Sequence, residues 1–201
     1  MVTEVKVSVT ALVISVSVIL LIFLFWLFAR NCVHVSSQLD NKLTMEYAVA
    51  AMAALLGDMM AKCATTMPDT TDGGAGSLTR ESCPGVWDFL DGLERLRLGD
   101  DKQSYFFVID TAGNQVMNGG NPAIAHKSRV SRPGSNTTSY VDPDGNKATE
   151  LILSKAASGG GYVEYKWPLP GGSTSKVVKK MAYVKTVPNS KWIIGSGIYV
   201  Q

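Results

Sequence analysis

Lys180 and Lys185 lie in a run dense in Val and Lys, Val177–Val187, near the C-terminal end of the chain. Successive side chains on a strand point to opposite faces, so these two lysines cannot serve one face together. Lys180 shares its side with Ala182 and Val184, and Lys185 with Met181 and Tyr183. Tyr105, Phe107, Tyr165, Trp167 and Tyr183 stand in this and other strand-like runs. A lysine facing tyrosines and an indole in a partly dry pocket suits recognition of a small anion. The ammonium pairs with a carboxylate, and phenol or indole donors orient it. Each feature also has a plain reading, since strand lysines are often solvated and strand aromatics are mostly core. Lys127, Arg129 and Arg132, in an irregular stretch that would cover such a pocket, are further cations.

Catalysis finds less material. The two histidines, His34 and His126, offer no readable Ser/His/Asp arrangement. Asp142, Asp144 and Asn146 loosely resemble a calcium loop, but the later glycine and bidentate Glu at EF-hand spacing are missing, so a turn is expected. Gly159-Gly160-Gly161 precedes a strand, whereas phosphate cradles precede a helix. No C-x-x-C pair suggests redox or zinc chemistry, and the net charge of +2 comes with no Lys/Arg run for nucleic acid. The chain is read as a binder rather than an enzyme, without cofactor or metal.

Three runs must hold these side chains: Tyr162–Trp167, Val177–Val187 and Trp192–Val200, rich in residues that suit a pleated surface. Pro168 to Gly172 and Pro188-Asn189-Ser190 break them, which predicts an antiparallel meander. Gly195 and Gly197 leave room for another group to approach the last run. Ser104–Asp110 reads as a strand apolar on both faces, with Tyr105, Phe107 and Ile109 to one side and Phe106 and Val108 to the other. A turn at 111–114 leads to a short strand, Gln115–Asn118. Helices are expected over Pro84–Leu98 and Lys147–Ser158, the latter stopped by the triple glycine. A long helix is expected from Val33 to Thr65, its apolar row running Val35, Leu39, Leu43, Tyr47, Ala51, Leu55 and Met59, with Met45, Met52, Leu56 and Cys63 widening the stripe.

Ahead of it, residues 7–29 form 23 positions without a charged side chain, where roughly 20 span a bilayer. The run is longer than a signal-peptide core and lacks a small-x-small site, so residues 1–30 are read as a retained, single-pass anchor. No breaker separates it from the long helix. Cys63 and Cys83 flank a Gly/Thr-rich loop; a disulfide and two unlinked thiols are both compatible with that spacing. The expectation is an α+β protein: a transmembrane helix running into a long helix packed on a five- or six-stranded antiparallel sheet, with helices on one side.

Several blocks, taken together, resemble a single Cache domain, the extracytoplasmic sensor module of bacterial chemoreceptors and sensor kinases. They are Tyr105–Asp110 with Gly113, Asp142–Gly145, Gly161–Pro168, Lys180–Lys185 and Trp192–Val200, in that order. The resemblance covers more than half of the chain, and no single block is specific. It implies a PAS-like sheet against a long N-terminal helix and a pocket over the sheet for a small molecule, commonly a short organic acid. It favours Lys180, the lysine that begins its Lys-x-x-Tyr-Val-Lys pattern. Two departures stand out. Where family members often carry a His-Pro, this chain has Asn118, with Asn121-Pro122 following; and it ends at Gln201, where such receptors usually continue into signalling modules.

The expected organisation is an anchor over 1–30 and a sensor domain over 31–201, with the helix at 33–65 and the sheet and pocket region at 84–201. The expected site is Tyr105, Phe107, Asn118, Tyr165, Trp167, Lys180 and Tyr183. The expected function is a membrane-anchored, periplasmic sensor that binds a small anionic metabolite in chemotaxis or signal transduction, with a homodimer through the long helix and a signalling partner. The alternative is an interaction module of the same fold without a working pocket.

Overall fold

The computed structural model describes residues 27, 40–64, 78–98, 103–125, 134–170 and 176–200. The anchor expected over 7–29 and the loop cations Lys127, Arg129 and Arg132 lie outside these residues, apart from Leu27. Contacts divide the chain into two units, Met1–Leu43 and Thr44–Gln201. In the described part of the first, Asp40–Leu43 is helical.

Helix α1, Asp40–Ala64, continues into the second unit. It is, among the described residues, the helix long and apolar enough to cross a membrane. Its burial pattern assigns it to the domain core instead. Met45, Val49, Ala53, Leu56 and Met60 are at most 5% exposed and join the main apolar cluster. Leu43, Tyr47 and Leu55, members of the expected apolar row, are exposed. Steps of four drift around a helix of 3.6 residues per turn. The buried row mixes steps of four and three, and so stays on one face.

Helix α2, Pro84–Arg95, buries Val86, Trp87, Leu90 and Leu93. It ends before the Leu98 expected from sequence, because Arg97–Leu98 form a short edge strand, β1. The remaining elements are β2 (Ser104–Asp110), β3 (Gln115–Asn118), a 3₁₀ turn at Pro122–Ile124, helix α3 (Ala148–Ala157), β4 (Gly161–Pro168), β5 (Val177–Thr186) and β6 (Trp192–Tyr199). All pairings are antiparallel, in the order β1-β2-β6-β5-β4, with β3 on β2. The predicted meander is present, and its last strand closes onto β2, which is buried throughout.

Helices cover both faces, not the one expected. Phe106, Val108, Trp192 and Ile194 meet α1 and α2; Tyr105, Phe107, Ala182, Val184 and Ile193 meet Ala148, Ile152 and Ala156 of α3. The alternation of β2 and β6 demands two covers, because both of their faces are apolar. A disulfide joins Cys63 at the end of α1 to Cys83 ahead of α2, resolving the two readings left by the spacing. Arg80 also bonds Asp88 and Asp91 of α2, and the Trp87 indole donates to the Leu78 carbonyl.

Candidate functional site

The α3 face of the sheet ends in a patch of aromatic side chains around one lysine. Lys180 is only 1% exposed. Register explains its neighbours: it pairs with Tyr165 of β4 on one side and Tyr199 of β6 on the other. Its Nζ lies 3.6 Å from the centre of the Tyr105 ring, 5.2 Å from that of Tyr199 and 5.4 Å from that of Phe107. Trp167 packs edge-on against both Tyr165 and Tyr140.

Glycines make the space. A Cβ at Gly197 would stand 2.7 Å from Lys180 Cε, one at Gly195 would strike the Phe107 ring, and one at Gly120 would strike the Tyr105 ring. The close approach expected at Gly195 and Gly197 is therefore used by Phe107 and Lys180. Asn118 helps to seat Tyr105 from a distance. Its side-chain oxygen accepts from the Gly120 and Asn121 N–H groups, and its amide donates to Gln115 Oε1.

The polar atoms of the patch fall into two sets. The Tyr199 hydroxyl donates to the Pro168 carbonyl at 2.6 Å, so Tyr105 is the donor in the 3.3 Å contact between the two hydroxyls. Tyr140 donates to the Lys166 carbonyl. Lys180 Nζ and the Tyr165 hydroxyl have neither hydrogen-bond nor ion-pair partners among the described residues, although Tyr165 is only 4% exposed. Such groups are normally paired when buried.

Burial pushes the Lys180 amine well below the ordinary lysine value, because a charge there loses its water. Burial raises the Tyr105 phenol to about 12, against the smaller effects of its contacts with Tyr199 and Trp167 and of the Arg97 charge. It raises Tyr165 still more clearly, with Tyr105 and Tyr140 adding to the effect. All these phenols are protonated donors at neutral pH. Asp142 lies close by in sequence to Tyr140, but it is not free. Burial alone would raise its carboxyl; N–H bonds from Lys166, Asn146 and Asp144 outweigh that and hold it low.

Of the seven residues expected at the site, Lys180, Tyr105, Phe107, Tyr165 and Trp167 share this face. Tyr183 does not: it packs on the α1 side, against Tyr162, as its parity with Lys185 requires. Asn118 is directed into its own turn. Tyr140 and Tyr199 were missed. Tyr199 had a signal, since it stands two residues after Gly197 and shares its parity; Tyr140 lies in an irregular stretch and had none. Among the described residues no group of three His, Cys, Asp or Glu could hold a metal.

A buried amine and a buried phenol stand side by side among aromatic rings on the α3 face of the antiparallel sheet. A Cache domain family model, dCache_2, matches residues 87–201, and the chain belongs to the Cache family. It is 33% identical over 99 residues, 49% of its length, to the sensor histidine kinase MctS of Rhizobium johnstonii. It is 31% identical over 127 residues, 63% of its length, to the methyl-accepting chemotaxis protein McpP of Pseudomonas putida. These matches span 19% and 21% of the relatives, so the chain corresponds to about a fifth of each. Among solved structures, a Cache chemosensory domain that recognises carboxylic acid is 27% identical with a TM-score of 0.55, over 78% of this chain and 93% of that one. The periplasmic sensor domain of a chemotaxis protein is 26% identical with a TM-score of 0.55, over 78% of this chain and 95% of that one. The relatives are signalling proteins, and the part they share with this chain is a sensor domain.

Proposed function

We propose that this chain is a membrane-anchored, periplasmic sensor whose Cache domain binds a small carboxylate over the α3 face of its sheet. One observation carries the reading: Lys180 is buried among aromatic rings, with no anion beside it among the described residues. A carboxylate between Lys180 Nζ and the Tyr165 hydroxyl would satisfy both groups, and Phe107 and Trp167 would wall its apolar part. The recognition of carboxylic acid by a similar Cache domain points the same way. A Cys63–Cys83 disulfide fits an oxidising compartment outside the cytoplasm, and the uncharged stretch 7–29 fits the anchor.

The β5–β6 hairpin offers a route for the signal. Lys180 and Tyr199 lie at its open end, and its turn meets α1, where a Cβ on Gly57 would be 3.0 Å from Pro188 Cδ. A ligand that favours one seating of this hairpin shifts the helix by its difference in affinity for the two seatings. The output passes to a signalling partner or to segments like those the relatives carry.

Thermal unfolding of the full chain in detergent micelles, against a panel of short organic acids and amino acids, tests the reading. A binder raises Tm with concentration. Lys180→Met should abolish the rise. Lys179→Ala should leave it intact, because Lys179 lies on the opposite face in a pair with Glu164. A flat panel with a well-folded protein, or an equal response from Lys180→Met, rules the reading out.

A further inference from the structure

The surroundings of Lys180 set how a carboxylate has to arrive. Among the described residues, every group packed against the amine is neutral at pH 7. From β4 come Tyr165 and Trp167, from β6 Tyr199 and Gly197, from β2 Tyr105 and Phe107, and from α3 Ala148 and Ile152 within the same apolar cluster. Tyr140 of the 134–147 segment joins them through Trp167. The nearby acid in sequence, Asp142, is saturated by its own N–H donors and does not act on Lys180. Arg97 acts on Tyr105 and bonds the Glu94, Leu96 and Gly119 carbonyls instead. Among the described residues a charge on this buried amine meets ring faces only, and these compensate only partly for lost hydration.

We propose that the site takes up its carboxylate and one proton as a single event, with Lys180 Nζ as the proton acceptor. The inference rests on the carboxylate reading above. In the empty domain the amine is uncharged. The incoming carboxylate supplies the counter-ion, a proton from water moves onto Nζ, and an ammonium–carboxylate pair results, with atoms and charge balanced. No covalent bond is made. The domain then responds to acid and proton together, so the same concentration of carboxylate reads as more ligand in a more acidic periplasm. Linkage fixes the sign. Where the empty amine is neutral, the association constant falls about tenfold per pH unit as pH rises; below that range it is flat. Burial of Lys180 supports the neutral empty state.

Titration calorimetry of the full chain in detergent micelles with acetate, in phosphate and in Tris near pH 8, counts the protons from the buffer dependence of the heat. The expected result is uptake of about one proton, and Lys179→Ala should leave it unchanged. Acetate binding without proton uptake overturns the inference and leaves the carboxylate reading standing. If acetate does not bind, the proton state is read directly. In lysine-labelled chain without ligand, the ¹⁵N resonance of Lys180, assigned by its loss in Lys180→Met, should titrate well below those of the exposed lysines. Titration together with them overturns the inference whatever the ligand.

Discussion

At the scale of the residue, Lys180 weighs against the domain that holds it. The unfolded chain binds a proton at this amine up to the ordinary lysine value, and the folded chain without ligand gives it up at lower pH. Folding therefore releases a proton between the lowered and the ordinary value, and stability rises with pH across that window. The slope contributed by one such group is about 1.4 kcal/mol per pH unit. Lys180→Met fills a similar volume without the charge, so the difference in stability between the two proteins should shrink as pH rises through the window. Denaturant unfolding of both proteins at several pH values measures it; parallel pH profiles would show that Lys180 is charged in the fold. The parity argument separated Lys180 from Lys185 and placed Lys180 with Ala182 and Val184, as the structure has it. The same argument, applied to Tyr183, already put that ring with Lys185 on the other face. What parity does not carry is strand order, and only the pairing of β5 with β6 brings Tyr199 beside Lys180.

Elements hold the site through backbone spacing more than through side chains. Gly197→Ala would set a Cβ 2.7 Å from Lys180 Cε, 2.8 Å from the Met181 carbonyl and 2.9 Å from Ala182 Cβ. The substitution should cost about 1–3 kcal/mol of stability by overpacking and reduce carboxylate binding at the same time; unfolding and calorimetry on one preparation read both. Two five-residue loops repeat one design. Asp110 and Asp142 each accept N–H bonds from the second and fourth residues after them, and each loop turns at a glycine with φ of +85°, Gly113 or Gly145. Both turns were legible, because Asp, Gly and Asn at these spacings are turn chemistry. The β2–β6 pairing was not, since nothing local in either strand specifies a partner so distant in the chain. The Cys63–Cys83 link closes a span with a sequence separation of 20. Cys63→Ser with Cys83→Ser should lower stability by about 3 kcal/mol, through the larger entropy of the open unfolded chain. Unfolding of wild-type chain with and without reductant should reproduce that loss, and equal stabilities would mean that the thiols are not linked.

For the whole molecule, the exposed apolar row along α1 becomes the informative one. Tyr47 is 72% exposed and Leu55 47%, with exposed Ala51 between them, on the side of α1 turned away from Met45, Val49, Ala53 and Leu56. An apolar row at helical spacing that the described residues leave uncovered is suited to a second copy of the same helix, which would bury it symmetrically. The homodimer expected through the long helix would thus use the outer row, while the inner row holds the sheet. That division matters for signalling. The hairpin that carries Lys180 and Tyr199 touches the inner side of α1 at Gly57, so in such a dimer a ligand-driven shift would act on the helix that forms the interface. Tyr47→Glu with Leu55→Glu places charges on the outer row without touching the core. Sedimentation equilibrium of the full chain in detergent should show a dimer for wild type and a monomer for the double variant, with Tm nearly unchanged. A variant that stays dimeric would assign dimerisation to another surface and remove α1 from the interface.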